Sequence, residues 1–264
     1  RISTIEHTLR RIDLDTELSL HYQPIVNVAT TRLVGFEALA RWHNPELGDV
    51  PPDVFISVAE RTELIGTITL VLLRKALAAA FSWPEDIFLS FNLSMRDLVS
   101  QVTILQIVAL IERSGIDPRR IIIEVTETAL MQDYEQVHTS LGTLRSMGLK
   151  VALDDFGAGQ SSLSYVHQLS LDKIKIDRGF IRNIAAQENS RNIVKTVIDL
   201  CRNLKFDCVV EGVETAEQVE IVGRLGCSTM QGYFFSKPMP QDQIATYIAS
   251  FRIPDRKRKA VMAG

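Results

Sequence analysis

The chain has 264 residues, 46% of them hydrophobic, which suits one large α/β domain or two small ones and excludes a disordered chain. A formal net charge of -3 gives no reason to expect wholesale binding to nucleic-acid polymers or to a membrane surface. Three cysteines, Cys201, Cys208 and Cys227, form no CxxC pair and leave an odd one over, so buried, reduced thiols in a cytoplasmic domain are expected.

Residues 3–16 mix apolar and charged positions and predict an opening helix. Residues 19–29 and 34–42 read as strands, and the short turn between them predicts an antiparallel pair. Pro51 and Pro52 open a helix over 53–60, where a missing N–H is harmless. The apolar stretch 68–81 predicts a largely buried helix; Arg74 and Lys75 interrupt it, and it is too short to span a bilayer. A strand over 87–93 leads into Ser94-Met95-Arg96-Asp97, which reads as a capping box starting the next helix. From there strands and helices alternate: 121–125 with 134–147, 151–154 with 162–168, and 173–176 with 191–204. In that last helix Ile193, Val194, Val197, Ile198 and Cys201 are expected to share a buried face. The strand 208–210 precedes a helix capped by Thr215 and Gln218, and 228–231 precedes a closing helix over 241–251.

No fixed-period repeat, low-complexity run or linker interrupts the chain, so one domain over 1–264 is expected, with a frayed tail over about 252–264. The first residue is Arg1, which suggests a domain cut from a longer, multidomain protein. Alternation of this length favours a closed barrel of parallel strands over an open doubly wound sheet, and no GxGxxG follows the first strand. The early antiparallel pair departs from a regular (β/α)8 barrel.

The polar residues collect where these strands end. The run Val151-Ala152-Leu153 stops at two adjacent acids, Asp154 and Asp155, followed by a glycine-bounded turn. Other strand ends supply Glu37, Asn92, Glu124 with Glu127, Lys175 with Asp177, Glu211 with Glu214, and Gln231. In a barrel these ends converge on one mouth, where active sites are built. Eight carboxylates at one rim repel one another unless cations sit among them. His7, His21, His43, His138 and His167 fall at no ligand-like spacing, so the donors are oxygens. Oxygen donors favour Mg²⁺ or Mn²⁺ over zinc or copper. An acid-rich site for two ions with one lysine suits attack of an activated water on a phosphate ester. A glycoside hydrolase would need only two acids.

Several segments stand in a recognisable order: Tyr22-Gln23-Pro24-Ile25, EALARW over 37–42, Asn92-Leu93-Ser94 and Glu124-Val125-Thr126-Glu127. DDFGAG over 154–159, Lys175-Ile176-Asp177, Glu211-Gly212-Val213-Glu214 and Gln231-Gly232-Tyr233 follow. With them the chain resembles, over almost its whole length, the EAL-domain family of cyclic di-GMP phosphodiesterases. The resemblance implies a modified TIM barrel with one antiparallel strand, and hydrolysis of one phosphodiester of cyclic di-GMP to linear pGpG. It implies that Glu37, Asn92, Glu124 and Asp154 ligate a first Mg²⁺ or Mn²⁺ ion, and that Asp154 bridges to a second held by Asp155 and Glu211. Lys175 would position or activate the attacking water, and Glu211 would act as base or as ligand. Gln23, Leu39, Arg41, Asp177 and Gln231 would contact substrate or its water, while Glu127, Ser161 and Glu214 would support the loops around the site. Simpler roles stand beside these: Arg41 as partner of a rim acid, Asp177 and Glu214 as helix-terminus residues, Lys175 as a counter-ion.

Ala158, Gln160 and Val210 depart from the usual family pattern, where threonine, tyrosine and alanine are common. The first two lie in the loop through which the family couples dimerisation or a sensory domain to catalysis. The resemblance further implies a homodimer, flanking sensory or GGDEF-type domains, and inhibition by Ca²⁺. The competing expectation is a receptor module that binds cyclic di-GMP without cleaving it. Degenerate members typically lose the EAL glutamate, the paired aspartates or the lysine, and this chain keeps all of them.

Overall fold

A computed structural model describes residues 2–157 and 170–254, the side chains of 130–132 excepted. The expected helix over 162–168, the loop positions Ala158, Gln160 and Ser161, and the tail from 255 lie outside the described residues.

Among the described residues ten strands form one sheet: β1 (Leu18–Asn27), β2 (Arg32–Asn44), β3 (Gly48–Val50), β4 (Phe88–Asn92), β5 (Ile121–Thr126), β6 (Lys150–Phe156), β7 (Lys173–Ile176), β8 (Asp207–Val210), β9 (Thr229–Gln231) and β10 (Met239–Pro240). From β2 the parallel pairings run through β4, β5, β6, β7 and β8 to β9. The strand β1 then pairs antiparallel with both β9 and β2 and so closes an eight-stranded barrel. The short β3 and β10 are flaps, paired antiparallel to β2 and β1. The expected TIM-like α/β barrel with one antiparallel strand is what forms. Strands buried on both faces need near-continuous apolar runs, and Ile121, Ile122, Ile123 and Val125 of β5 and Ile174 and Ile176 of β7 supply them.

Both predicted capping boxes form: Ser94 with Asp97, and Thr215 with Gln218. The helix after Ser94 is nevertheless two helices, Met95–Val99 and Gln101–Ser114, because Ser100 ends the first and its side chain accepts from Thr103 N to start the second. The opening helix is likewise split into Ile2–Leu9 and Leu14–Glu17, with Asp13 capping the latter. In the helix Glu188–Leu204, Val194, Val197, Ile198 and Cys201 are buried as expected, but Ile193 is 43% exposed. The stripe touching the barrel is narrower than its apolar periodicity. No helix of the described residues is long and apolar enough to cross a membrane.

Candidate active site

Strand register carries the polar residues to one end of the barrel. Glu37 of β2 lies beside Ser90 of β4, Asn92 beside Glu124 of β5, and Thr126 beside Asp154 of β6. Lys175 sits on β7, Glu211 just past β8, and Gln231 ends β9. Gln23, on the antiparallel β1, pairs with Glu37 across the closing seam.

Lys175 is the centre of the arrangement. Its side chain is 1% exposed, and its ammonium Nζ lies 2.6 Å from Glu124 Oε2, 2.6 Å from Glu211 Oε1, 3.3 Å from Glu37 Oε2 and 3.4 Å from Asp154 Oδ1. Burial alone would lower its pKa, but the carboxylates, Glu124 and Glu211 foremost, hold it well above the ordinary lysine value. Glu37 accepts further hydrogen bonds from Asn92 Nδ2 (2.9 Å) and Gln231 Nε2 (2.7 Å). Burial pushes Glu37 up, yet Lys175 and these amide donors outweigh it and keep the carboxyl below its usual range. Glu124 goes the other way: burial and the neighbouring Glu37 raise it well above the carboxylate range despite Lys175. Glu211 is raised to about 8, by burial first and then by Asp154 and Glu37 against Lys175.

The paired aspartates sit where the β6 ladder breaks. Its pairing with β7 shifts between Leu153 and Phe156, and Asp155 takes a left-handed φ of 53°. Aspartate tolerates that region better than most residues. The Asp155 N–H donates to Asp154 Oδ1 at 2.9 Å. Burial, then Asp154 and Asp177, raise the Asp155 carboxyl to about 6.

Two trios of carboxylates are close enough to hold divalent cations. Glu37, Glu124 and Asp154 each offer an oxygen within 4.8 Å of the other two, and so do Asp154, Asp155 and Glu211. Asp154 is common to both. The donor set is hard oxygen with one amide nearby, which fits Mg²⁺ or Mn²⁺.

Gln231 also donates to Gln23 Oε1 (3.0 Å), and Gln23 Nε2 donates to the Ser236 carbonyl (3.3 Å). Gln231 Oε1 is buried with no partner among the described residues, an acceptor left over for a bound water or substrate hydroxyl. Glu37, Leu39, Asn92, Asp154 and Asp155 line a cleft of about 830 Å³ that opens from the rim. Arg41 is half-buried and donates to the Ala40 carbonyl at 2.8 Å. Asp177 caps the helix Arg178–Ile181 by accepting from Gly179 N at 2.8 Å, and its side chain also reaches Asp155. Glu127 opens the helix Glu127–Gln132. Glu214 is exposed, and its backbone N–H donates to Gln218 Oε1 of the following helix cap. Ser161 lies outside the described residues.

Sequence reasoning missed Ser90, whose buried hydroxyl donates to Glu124 Oε1. The signal was its position two residues before Asn92 on a strand, hence on the same face.

Against known proteins, the family described as "EAL domain" matches residues 6–238. The bifunctional diguanylate cyclase/cyclic di-GMP phosphodiesterase MucR of Pseudomonas aeruginosa is 36% identical over 247 residues, 92% of this chain and 36% of that one. The solved structure titled PaMucR phosphodiesterase, c-di-GMP complex, superposes with a TM-score of 0.86 at 36% identity, covering 91% of this chain and 99% of that one. A manganese/cy-diGMP complex of Klebsiella pneumoniae BlrP1 superposes with a TM-score of 0.77 at 32% identity, covering 86% of this chain and 57% of that one. The chain spans about a third of the length of the curated relatives it matches. With the barrel, its single antiparallel strand and the ordered acidic strand ends in agreement, the chain belongs to the EAL domain family.

Proposed function

We propose that this chain is a metal-dependent phosphodiesterase that hydrolyses one phosphodiester bond of cyclic di-GMP to give linear pGpG. The observation that carries the reading is the cluster of carboxylates about Lys175, divided into two cation-sized trios that share Asp154. Relatives named as cyclic di-GMP phosphodiesterases, and structures titled as cyclic di-GMP complexes, support the substrate.

Glu37, Asn92, Glu124 and Asp154 would hold one Mg²⁺ or Mn²⁺ ion, and Asp154, Asp155 and Glu211 a second. Bound there, the ions supply a Lewis acid that lowers the pKa of water and neutralises phosphate charge. The chain's own groups do the rest. Lys175, held cationic by its neighbours, donates a hydrogen bond that orients the attacking water. Glu211 is the carboxylate beside it able to accept the water's proton. Water oxygen bonds to phosphorus as its proton passes to Glu211, one ester P–O bond breaks, and the freed ribose oxygen takes a proton from solvent as the ring opens. The Arg41 guanidinium fork matches a pair of phosphate oxygens, and Gln23, Leu39, Asp177 and Gln231 contact the substrate or its water.

The test is incubation with cyclic di-GMP and Mg²⁺ or Mn²⁺, followed by chromatography. Formation of pGpG, suppressed when Ca²⁺ replaces those ions, is expected, because Ca²⁺ is larger and more loosely coordinated. Binding of cyclic di-GMP without any pGpG would make the chain a receptor and sink the enzymatic reading.

A further inference from the structure

We infer that Ser90 is a positioning residue of the cation site, holding the Glu124 carboxylate so that its free lone pairs face the metal. The inference rests on the reading of the rim as a cation site. It starts from where the two oxygens of Glu124 are spent. Oε2 takes the Lys175 ammonium at 2.6 Å, and Oε1 takes the Ser90 hydroxyl. Residue exposure is 1% for Ser90, Glu124 and Lys175 alike, so water does not compete for these bonds. The two donors come from different strands, β4 and β7, and reach opposite ends of one carboxylate carried by β5. A carboxylate pinned at both oxygens does not turn about its last bond.

The side chain at position 90 has little freedom to do otherwise. It faces the barrel interior with Asn92, two residues on, and register places it beside Glu37. Serine is the smallest residue that brings a hydroxyl there. Without that hydroxyl, Glu124 Oε1 is left buried with no donor, a costly state. Glu124 is then free to swing toward Lys175, and that movement withdraws an oxygen from the trio it forms with Glu37 and Asp154. Ligand-orienting groups of this kind typically change metal affinity or activity by roughly 10–100-fold.

The experiment measures Mn²⁺ uptake by purified protein, by calorimetry or electron paramagnetic resonance, without substrate. Ser90→Ala is expected to bind Mn²⁺ roughly 10–100-fold more weakly than the unaltered protein. Its turnover at limiting Mn²⁺ falls with the affinity and recovers as Mn²⁺ is raised. Ser90→Cys, with similar shape and a weak donor, is expected in between. Unchanged Mn²⁺ affinity in Ser90→Ala overturns the inference, as does a loss of turnover that no amount of Mn²⁺ restores. Should Ser90→Ala fail to fold, Ser90→Cys decides, and wild-type affinity there is equally fatal because a thiol donates too weakly to pin the carboxylate. If the unaltered protein takes up no Mn²⁺, the cation-site reading fails and the inference with it; if it does and the variants match it, only the inference fails.

Discussion

A lysine with four carboxylates around it carries two opposing energies, and their balance predicts how the rim behaves when residues are removed. Desolvating an ammonium costs several kcal/mol, and only near, well-placed anions offset it; contacts of 2.6 Å to Glu124 and Glu211 meet that condition. Taking the cation away leaves Glu37, Glu124, Asp154 and Glu211 facing one another. Lys175→Ala is therefore expected to cost the metal-free protein about 3–5 kcal/mol, a fall in Tm on the order of 10 °C. Added Mn²⁺ should restore more stability to this variant than to the unaltered chain, while turnover stays lost. Thermal scans with and without Mn²⁺ check both halves, and an unchanged metal-free Tm would mean that Lys175 is not the counter-ion. Glu37 is the complementary case, accepting from Asn92, Gln231 and Lys175 together. Glu37→Ala removes a proposed metal ligand and frees those donors, so turnover is expected to drop by about 100-fold or more. Near-normal hydrolysis of cyclic di-GMP by this variant would refute its place in the site.

At the scale of elements, the end of β9 shows how backbone fit sets the Gln231 side chain. Gly232 follows Gln231, and a Cβ there would lie 2.1 Å from the Val213 carbonyl oxygen and 2.3 Å from its nitrogen. The same stretch is tied by hydrogen bonds from Val213 N to the Gln231 carbonyl (3.1 Å) and from Phe234 N to the Val213 carbonyl (3.0 Å). Gly232→Ala must push these segments apart, so a loss of about 1–3 kcal/mol is expected. Turnover should fall further than stability alone explains, because Gln231 and its partner Glu37 shift with the strand. Denaturant melts and steady-state assays on the folded fraction separate the two effects. Much of this was readable beforehand from charged residues set in short strands: Glu124 ending the apolar run of Ile121–Thr126, and Lys175 between the isoleucines of Lys173–Ile176. What escaped depends on backbone events that residue type does not announce. The strand β6 runs on to Phe156 past both aspartates, because a left-handed Asp155 lets Phe156 pair again with Ile176. Ser90 escaped because a serine inside an apolar strand reads as neutral until its neighbour across the sheet is known to be an acid.

For the whole molecule the rim makes stability depend on pH in a way that opposes ordinary acid denaturation. A carboxyl whose pKa is higher folded than unfolded binds protons more tightly in the folded state, so folding loses stability as pH rises from the unfolded value to the folded one. Glu211, raised to about 8, and Asp155, raised to about 6, both act in this direction, and Glu124 is raised as well. Glu37 is lowered, so its stabilisation is already complete above its unfolded value and is lost only in more acidic solution. Lys175 is raised, and its contribution is full everywhere below the ordinary lysine value. Neither cancels the trend between about pH 5 and pH 8. In that window the metal-free barrel should become less stable as pH rises, with crowded carboxylates forced to ionise around a single ammonium. Divalent cations reverse the sign, since they bind the ionised form and stabilise the fold by mass action. Calorimetric Tm values taken in a chelator should therefore decline from about pH 5 to pH 8, and those taken in excess Mn²⁺ should hold or rise. The gap between the two series widens with pH if the mouth of this barrel is a cation site; parallel series would show that the acids are neutralised from within.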